Sequence, residues 1–151
     1  METMKELLAV LLIHETNFKV LHWMACGSEF DSYHKDTTSE YYDMCSDKAD
    51  EVAEMILRMG GSIINYAEAL DIIDDSELDH LMIKSDCCYK ASDIQENSQI
   101  MFADILGLIE TALQDDNIAN NIKNVSIKAS LESMHGDFDL QYRYLNKRRG
   151  C

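Results

Sequence analysis

The chain has 151 residues and a mass of 17.3 kDa, which suits a single domain, residues 1–151, with a substantial core. Its 13 Lys and Arg residues oppose 28 Asp and Glu residues, so the formal net charge is −15. This charge disfavours binding to nucleic acid and to anionic membranes, and it concentrates cations near any acidic cavity. Because the sequence contains no proline and only six glycines, long stretches are free to form helices.

The first predicted helix runs from about Met4 to Met24. Leu8, Leu11 and Phe18 belong to a stripe with steps of three and four residues, which is the spacing of one helix face. We expect Gly27 to end this helix, since glycine readily adopts the left-handed cap conformation.

The remaining pattern predicts three more helices and a connector. The second helix runs from about Asp31 to Met59 and is stopped by Gly60-Gly61, after which Ser62–Ile73 forms a short amphipathic piece. A third helix is predicted from Ser76 to about Leu113, and a fourth from about Asn121 to Lys147. Long helices joined by short breaks favour an all-α fold, an antiparallel four-helix bundle with a connector helix between its second and third members.

The five cysteines show no zinc-finger spacing, and two of them, Cys87 and Cys88, are adjacent. Neighbouring residues on a helix point in different directions, so this pair is poorly placed for a mutual bridge. We therefore expect reduced thiols in an intracellular protein. The N-terminal segment lacks the features of a signal peptide, and no stretch reaches the ~18 consecutive apolar residues of a membrane span. A soluble, cytoplasmic protein is expected.

The segment HWMACGSEFDSYH, residues 22–34, places His22 and His34 on either side of a glycine turn. Asp50 comes sixteen positions after His34, and Glu54 follows four residues later on the same predicted helix face. Two imidazoles and two carboxylates form a mixed nitrogen and oxygen ligand set that suits iron, zinc or manganese.

One subunit cannot easily bring these four groups to one metal ion. Asp50 lies about 24 Å along the helix axis from His34, at about 1.5 Å per residue. A neighbouring subunit that runs antiparallel could place its own Asp50 and Glu54 against His22 and His34. The geometry therefore predicts a metal site at the interface of a symmetric dimer, occurring twice in each dimer.

The same segment resembles the signature of Dps-type mini-ferritins. That signature contains a His-Trp pair, then a glycine, a phenylalanine and a second histidine, with Asp-x-x-Ala-Glu near the end of the same helix. The matching positions are His22, Trp23, Gly27, Phe30, His34, Asp50, Ala53 and Glu54. The match is close over residues 22–61 and rests on helix order elsewhere.

The resemblance implies a ferritin-like four-helix subunit that assembles into a hollow dodecamer from two-fold dimers. It also implies a ferroxidase centre at each dimer interface, with His22 and His34 from one subunit and Asp50 and Glu54 from the other as ligands. Trp23 is expected close to the metal without being a ligand. Members of the family oxidise Fe(II), usually with hydrogen peroxide and less well with oxygen, and store the Fe(III) mineral inside. We therefore expect an iron-storing ferroxidase that limits oxidative damage, with zinc or manganese as alternative metals.

The sequence departs from the family pattern in three ways. The family usually has one residue fewer between the second histidine and the aspartate, and an added residue rotates the rest of a helix by about 100° unless a π-bulge absorbs it. Either the second helix bulges between Tyr41 and Asp50, or the assignment of Asp50 is wrong. Thr38 stands where the family often has an acidic residue. A lysine-rich N-terminal tail is absent, so DNA is not an expected partner.

Two alternatives stay open. The chain could form a ferritin-like cage without ferroxidase activity, because the added residue could disrupt the site. A di-iron site could instead lie within one subunit, since Glu132 and His135 form a Glu-x-x-His pair of the kind used by other ferritin-like proteins. The ligands of that rival site would be drawn from Glu15, Glu54, Glu96, Glu132 and His135. Structural roles are expected for His14 and His80.

Overall fold

The structure, a computed structural model, describes residues 1–75, Ile83 and residues 88–148. Its helices are α1 (Glu2–Trp23), α2 (Thr38–Arg58), α3 (Tyr66–Asp74), α4 (Ala91–Gln114), α5 (Asp116–Ala119) and α6 (Val125–Arg148), with a π-helical turn at Ser32–Thr37 and a 3-10 turn at Ile122–Asn124. The π-helical turn leads directly into α2.

The long helices α1, α2, α4 and α6 form a bundle in which α1 packs against α2 and α4, and α4 packs against α6. The short helix α3 follows α2 and packs on α1. The predicted all-α bundle with a connector helix is therefore confirmed. Within the described residues, no helix is long and apolar enough to cross a membrane.

One aromatic residue from each long helix meets the others at the centre of the bundle. Phe18, Tyr41, Phe102 and Phe138 come from α1, α2, α4 and α6, and each is at most 2% exposed. The ring centroids of Phe18 and Phe102 are 5.2 Å apart, and those of Phe102 and Phe138 are 5.8 Å apart. Tyr41 meets Phe102 edge to face at 4.8 Å. Such pairs add about 0.5–1.5 kcal/mol each beyond burial, so this cluster fixes α1 and α2 relative to the rest.

Glycines in left-handed conformation follow the first two bundle helices. α1 ends at Trp23 and α2 at Arg58, and Gly27 and Gly60 have φ values of +94° and +79°. Glycine takes this conformation readily because it has no Cβ. The turn around Gly27 returns the chain against the end of α1.

The connector α3 begins later than predicted because a capping box sets its first turn. The side-chain oxygen of Asn65 accepts a hydrogen bond of 2.9 Å from the Glu68 amide. The Glu68 carboxylate accepts one of 2.7 Å from the Asn65 amide in return. The helix therefore spans Tyr66–Asp74 rather than starting at Ser62.

The predicted start of the third bundle helix at Ser76 lies outside the described residues. α4 begins at Ala91, and residues 88–90 are not helical, so the predicted helix was too long. The Asp93 carboxylate accepts a hydrogen bond of 3.0 Å from the Lys90 amide, which caps the first turn of α4. A local capping interaction thus defines a boundary that the apolar periodicity did not show.

The segment before α4 is held against the segment after α1. The Cys26 amide donates to the Tyr89 carbonyl at 2.9 Å, and the Tyr89 amide donates to the Met24 carbonyl at 2.9 Å. Cys26 and Cys88 form a disulfide with their Cα atoms 5.9 Å apart. A covalent bond and two backbone hydrogen bonds therefore tie the end of α1 to the beginning of α4.

The disulfide corrects the expectation of reduced thiols for Cys26 and Cys88. In the sequence, Cys87 and Cys88 stand out because they are adjacent, whereas the bridge joins residues 62 positions apart. Cys45 is not bonded and is completely buried, and this burial raises the pKa of its thiol. Cys87 and Cys151 lie outside the described residues.

Reduction of the disulfide is expected to lower the thermal stability of the protein. A bridge across 62 residues stabilises a protein by about 4 kcal/mol in the chain-entropy model, because it restricts the unfolded chain. Thermal denaturation with and without a thiol reductant, at matched protein concentration, measures the effect. The Cys26→Ser variant should start from the lower Tm and should not respond to the reductant. A wild-type Tm that is the same in both conditions would contradict the prediction.

Candidate metal centre

His22 and His34 are brought together by the turn that follows α1. His22 lies in the last turn of α1 and His34 in the π-helical turn. Their rings stack with centroids 4.0 Å apart and an interplanar angle of 12°. Phe30 stacks on His34 at 4.8 Å, and Tyr42 meets His22 edge to face at 5.4 Å. Two half-buried imidazoles therefore stand side by side between aromatic rings.

The hydrogen bonds of the two histidines determine which ring nitrogen carries the proton. Nδ1 of His34 lies 2.8 Å from the His22 carbonyl oxygen, which only accepts, so Nδ1 of His34 is the donor. Nδ1 of His22 lies 3.2 Å from Oγ1 of Thr38, whose own hydrogen is donated to the Tyr33 carbonyl. Both neutral rings are thus Nδ1–H tautomers. Within the described ranges, neither Nε2 has a hydrogen-bond partner, so both Nε2 lone pairs are available to a metal.

The surroundings of His22 favour its neutral form. Burial lowers the pKa of His22 below its ordinary value of 6.5, and the neighbouring His34 lowers it further. A metal binds the neutral imidazole, so the site keeps His22 in the form that can act as a ligand.

A π-helical turn, which can accommodate one additional residue in a helix, encloses His34. The Thr38 amide donates to the Tyr33 carbonyl, five residues earlier, in place of the α-helical partner four residues earlier. The expectation of a bulge between Tyr41 and Asp50 was wrong in its location, because the turn spans Ser32–Thr37 and α2 is regular from there on. The turn encloses His34 and ends at Thr37, before Asp50.

Asp50 and Glu54 lie on the exposed face of α2. Both are exposed, whereas their neighbours Ala49 and Val52 are buried against α1 and the core. Asp50 also lines a surface groove of about 290 Å³, together with residues of α1 and the segment before α3. The two carboxylates are one helical turn apart, as the sequence predicted.

The structure of one chain brings His22 and His34 together and leaves Asp50 and Glu54 apart from them. The described part of the chain contains no group of three or more His, Cys, Asp or Glu side chains that could hold a metal ion. The assignment of all four residues to one interfacial site therefore stays a prediction.

The rival site within one subunit is not formed by the described residues. His135 is bonded through Nε2 to Glu110 at 2.9 Å, and Glu15 is paired with Lys19 at 2.7 Å. The other candidate ligands of this site are exposed on separate helices: Glu54, Glu96 and Glu132. Because these side chains do not converge, that alternative was wrong.

Other polar residues have structural surroundings. His14 is completely buried and has hydrogen-bond partners in Asp104, at 3.3 Å from Nε2, and Asn17, at 3.2 Å from Nδ1, which agrees with its expected structural role. His80 lies outside the described residues. The sequence reasoning missed Tyr42 as a neighbour of His22, since nothing in its spacing distinguishes it from a core tyrosine.

No protein-family model matches the chain. The chain is 32% identical over 107 residues to the DNA protection during starvation protein of Porphyromonas gingivalis. This alignment covers 70% of the chain and 65% of that protein, slightly less than two thirds of the relative's length.

Solved structures share the whole fold. Helicobacter cinaedi CAIP superposes with a TM-score of 0.81 at 21% identity, over 97% of this chain and 96% of that chain. A Dps protein from Bacillus brevis gives a TM-score of 0.78 at 19% identity, over 96% of this chain and 91% of that chain. Dps from Staphylococcus aureus gives 0.65 at 21% identity, over 93% of this chain and 92% of that chain. At these identities the similarity shows the fold.

The stability of the metal-free protein is expected to fall as the pH decreases below the ordinary histidine pKa of about 6.5. The pKa of His22 is lowered in the folded state, so the unfolded chain binds the proton at a higher pH than the folded chain does. The folded state therefore loses stability as the pH falls from about 6.5, the ordinary pKa of the unfolded chain, through the lower pKa of His22 in the folded state. Tm measured against pH should fall less steeply in His22→Gln, in which this group cannot titrate. Equal slopes for the two proteins would rule out this contribution.

Proposed function

We propose that the chain is a Dps-type mini-ferritin that binds Fe(II) at sites shared by two subunits and oxidises it with hydrogen peroxide or oxygen. Residues 22–54 resemble the signature of that family, and the sequence and the fold are similar to those of Dps proteins. The Fe(III) mineral is stored inside a dodecameric cage built from two-fold dimers. The stacked pair of His22 and His34, with both Nε2 lone pairs available, carries this proposal.

The ligand set suits iron in both oxidation states. Two neutral imidazoles would come from one subunit, and the partner subunit's Asp50 and Glu54 would supply carboxylate oxygens. Two carboxylates balance the charge of Fe(II), and mixed nitrogen and oxygen ligands accept Fe(III) as well. Zinc or manganese can take the same ligands.

The chemistry of the reaction belongs to the iron and its oxidant. Two Fe(II) ions give one electron each to hydrogen peroxide, and two protons complete the formation of two water molecules and two Fe(III). The protein places the ions, holds its ligands in the deprotonated or neutral form and attracts more cations through its charge of −15 per subunit.

Exposed apolar residues support a second copy of the chain as the partner. Trp23 and Phe30, beside the histidine pair, are 64% and 38% exposed. Leu57 and Ile63, near the carboxylate end of α2, are 55% and 51% exposed. In an antiparallel two-fold dimer, the aromatic pair of one subunit faces the apolar residues and the groove beside Asp50 of the other. The same contact brings histidines to carboxylates.

Mixed assemblies of two inactive variants test whether the site is shared. His22→Ala/His34→Ala removes one half of each site, and Asp50→Asn/Glu54→Gln removes the other half. Loss of outer-shell partners alone costs about 10–100-fold, so each pure variant should oxidise Fe(II) in peroxide more than about tenfold slower than wild type. Random co-assembly of equal amounts should restore about a quarter of the wild-type rate. About half of the dimers are then mixed, and in each of these one of the two sites combines intact histidines with intact carboxylates.

The control for this experiment is Glu132→Gln/His135→Asn, which should leave the rate unchanged. A site within one chain predicts no recovery in the mixed assemblies. A histidine variant as active as wild type would falsify the proposal. If the wild-type protein forms a cage but neither binds nor oxidises iron, the alternative function applies: a ferritin-like cage without ferroxidase activity.

We expect no binding to duplex DNA. The formal net charge of −15 opposes the approach of phosphates, so few counterions would be released. Some of the cations are also paired within the chain: Lys48 with Glu51 and Asp137, and the guanidinium of Arg143 with Asp139. A gel-shift titration at low ionic strength should leave the DNA mobility unchanged. A shift that disappears with added salt would contradict this expectation.

A further inference from the structure

Thr38 is buried beneath the histidine pair and connects it to the π-helical turn. Its side chain is 0% exposed, and it is the first residue of α2. Its hydroxyl donates to the Tyr33 carbonyl and lies 3.2 Å from Nδ1 of His22. We propose that Thr38 is a positioning residue that holds His22 in the Nδ1–H tautomer, so that Nε2 is presented to the metal. This inference rests on the proposed iron site.

The direction of the hydroxyl hydrogen follows from the available partners. A carbonyl oxygen only accepts, so the single hydrogen of Thr38 must point towards Tyr33. The oxygen of Thr38 then has only lone pairs left for His22. Nδ1 of His22 must therefore donate, which leaves Nε2 without a proton.

The π-helical turn makes this arrangement possible. In a regular α-helix, the Thr38 hydroxyl would reach the carbonyl four residues earlier, on His34. Here it reaches Tyr33, five residues earlier, together with its own backbone amide. The phenol of Tyr33 accepts a hydrogen bond from Gln95 of α4, so the turn is anchored in the bundle. Hydrogen bonds therefore connect Gln95 of α4 to Tyr33, Tyr33 to Thr38, and Thr38 to His22.

The two hydrogen-bond neighbours of residue 38, the Tyr33 carbonyl and Nδ1 of His22, favour a hydroxyl at this position. Dps-type sequences often carry an acidic side chain at this position. A buried carboxylate facing the Tyr33 carbonyl would place two acceptors together and would need a second donor. The neutral hydroxyl satisfies both neighbours with one hydrogen.

The tautomer of His22 can be measured directly in the assembled, metal-free protein. Solid-state NMR of protein with ¹⁵N-labelled histidine rings distinguishes protonated from unprotonated ring nitrogens. The His22 signals are those absent from His22→Asn. We expect Nδ1–H in wild type and in Thr38→Ser, which keeps the hydroxyl. Thr38→Val removes the acceptor at almost constant volume, and its His22 should shift towards the Nε2–H form. An unchanged tautomer in Thr38→Val overturns the proposal.

Metal affinity provides the second measurement. Zn(II), which is redox-inert, should bind Thr38→Val about 10–100-fold more weakly than wild type. Thr38→Ser should restore an affinity close to that of wild type, which a purely structural role of the threonine would not predict. Thr37→Val is the matched control, since Thr37 is also buried and makes no hydrogen bond to either histidine. Equal affinities for Thr38→Val and Thr37→Val overturn the proposal.

The two measurements separate this inference from the proposed function. If wild type binds no Zn(II) or Fe(II), the iron site is wrong, while the tautomer measurement still decides the role of Thr38. If Thr38→Val fails to assemble, as shown by size-exclusion chromatography, Thr38→Ala carries the same comparison. Wild-type metal affinity with an unchanged His22 tautomer in the variants supports the iron site and eliminates Thr38 as its positioning residue.

Discussion

The hydrogen bond from the Thr38 amide to the Tyr33 carbonyl is the constraint on which the candidate site depends. It closes a π-helical turn and so lets the chain hold one more residue without rotating all of α2 about its axis. Because α2 is regular after this turn, its buried residues, such as Tyr41 and Val52, keep facing the core while Asp50 keeps facing outwards. The same turn holds His34 against His22. Because of this one π-helical turn, the apolar residues of α2 face the core, while the histidines lie together and the carboxylates face outwards.

The proposed site, divided between two subunits, would couple the chemistry to the assembly. The histidine pair stands at one end of α2, and the carboxylates stand about 18 Å further along it, counted from Thr38 at about 1.5 Å per residue. Neither half offers enough ligands alone, so iron would be oxidised only where two chains meet. The exposed aromatic and aliphatic residues beside each half favour this contact through burial of apolar surface. Metal binding would in turn stabilise the dimer, since a ligand that binds only the associated state shifts the equilibrium towards it.

Much of this architecture could be predicted from the sequence, and the limits have physical causes. Apolar periodicity predicted the bundle, because burial of one helix face dominates the choice of residues there. Gly27 and Gly60-Gly61 indicated where α1 and α2 end, to within a few residues. The beginning of α4 was missed because it depends on one hydrogen bond from the Lys90 amide to Asp93 and not on a change in periodicity. The bridge between Cys26 and Cys88 was missed because pairing across 62 residues is a property of the tertiary fold. The histidine pair was predicted, but the tautomer that we infer for His22 depends on the hydroxyl direction of Thr38, which no sequence pattern shows.

The beginning of α4 supports the histidine pair although it supplies none of the predicted ligands. Two separate connections lead from it to the site: Gln95 bonds the phenol of Tyr33, and Tyr89 bonds the backbone that follows His22. The disulfide of Cys88 makes the second connection covalent. A metal site requires ligands held to within about 0.5 Å, and residues on a turn achieve this only when a rigid element fixes the turn. The positions of His22 and His34 therefore depend on the beginning of α4, and the cysteine pair would support the proposed metal site without contacting the metal.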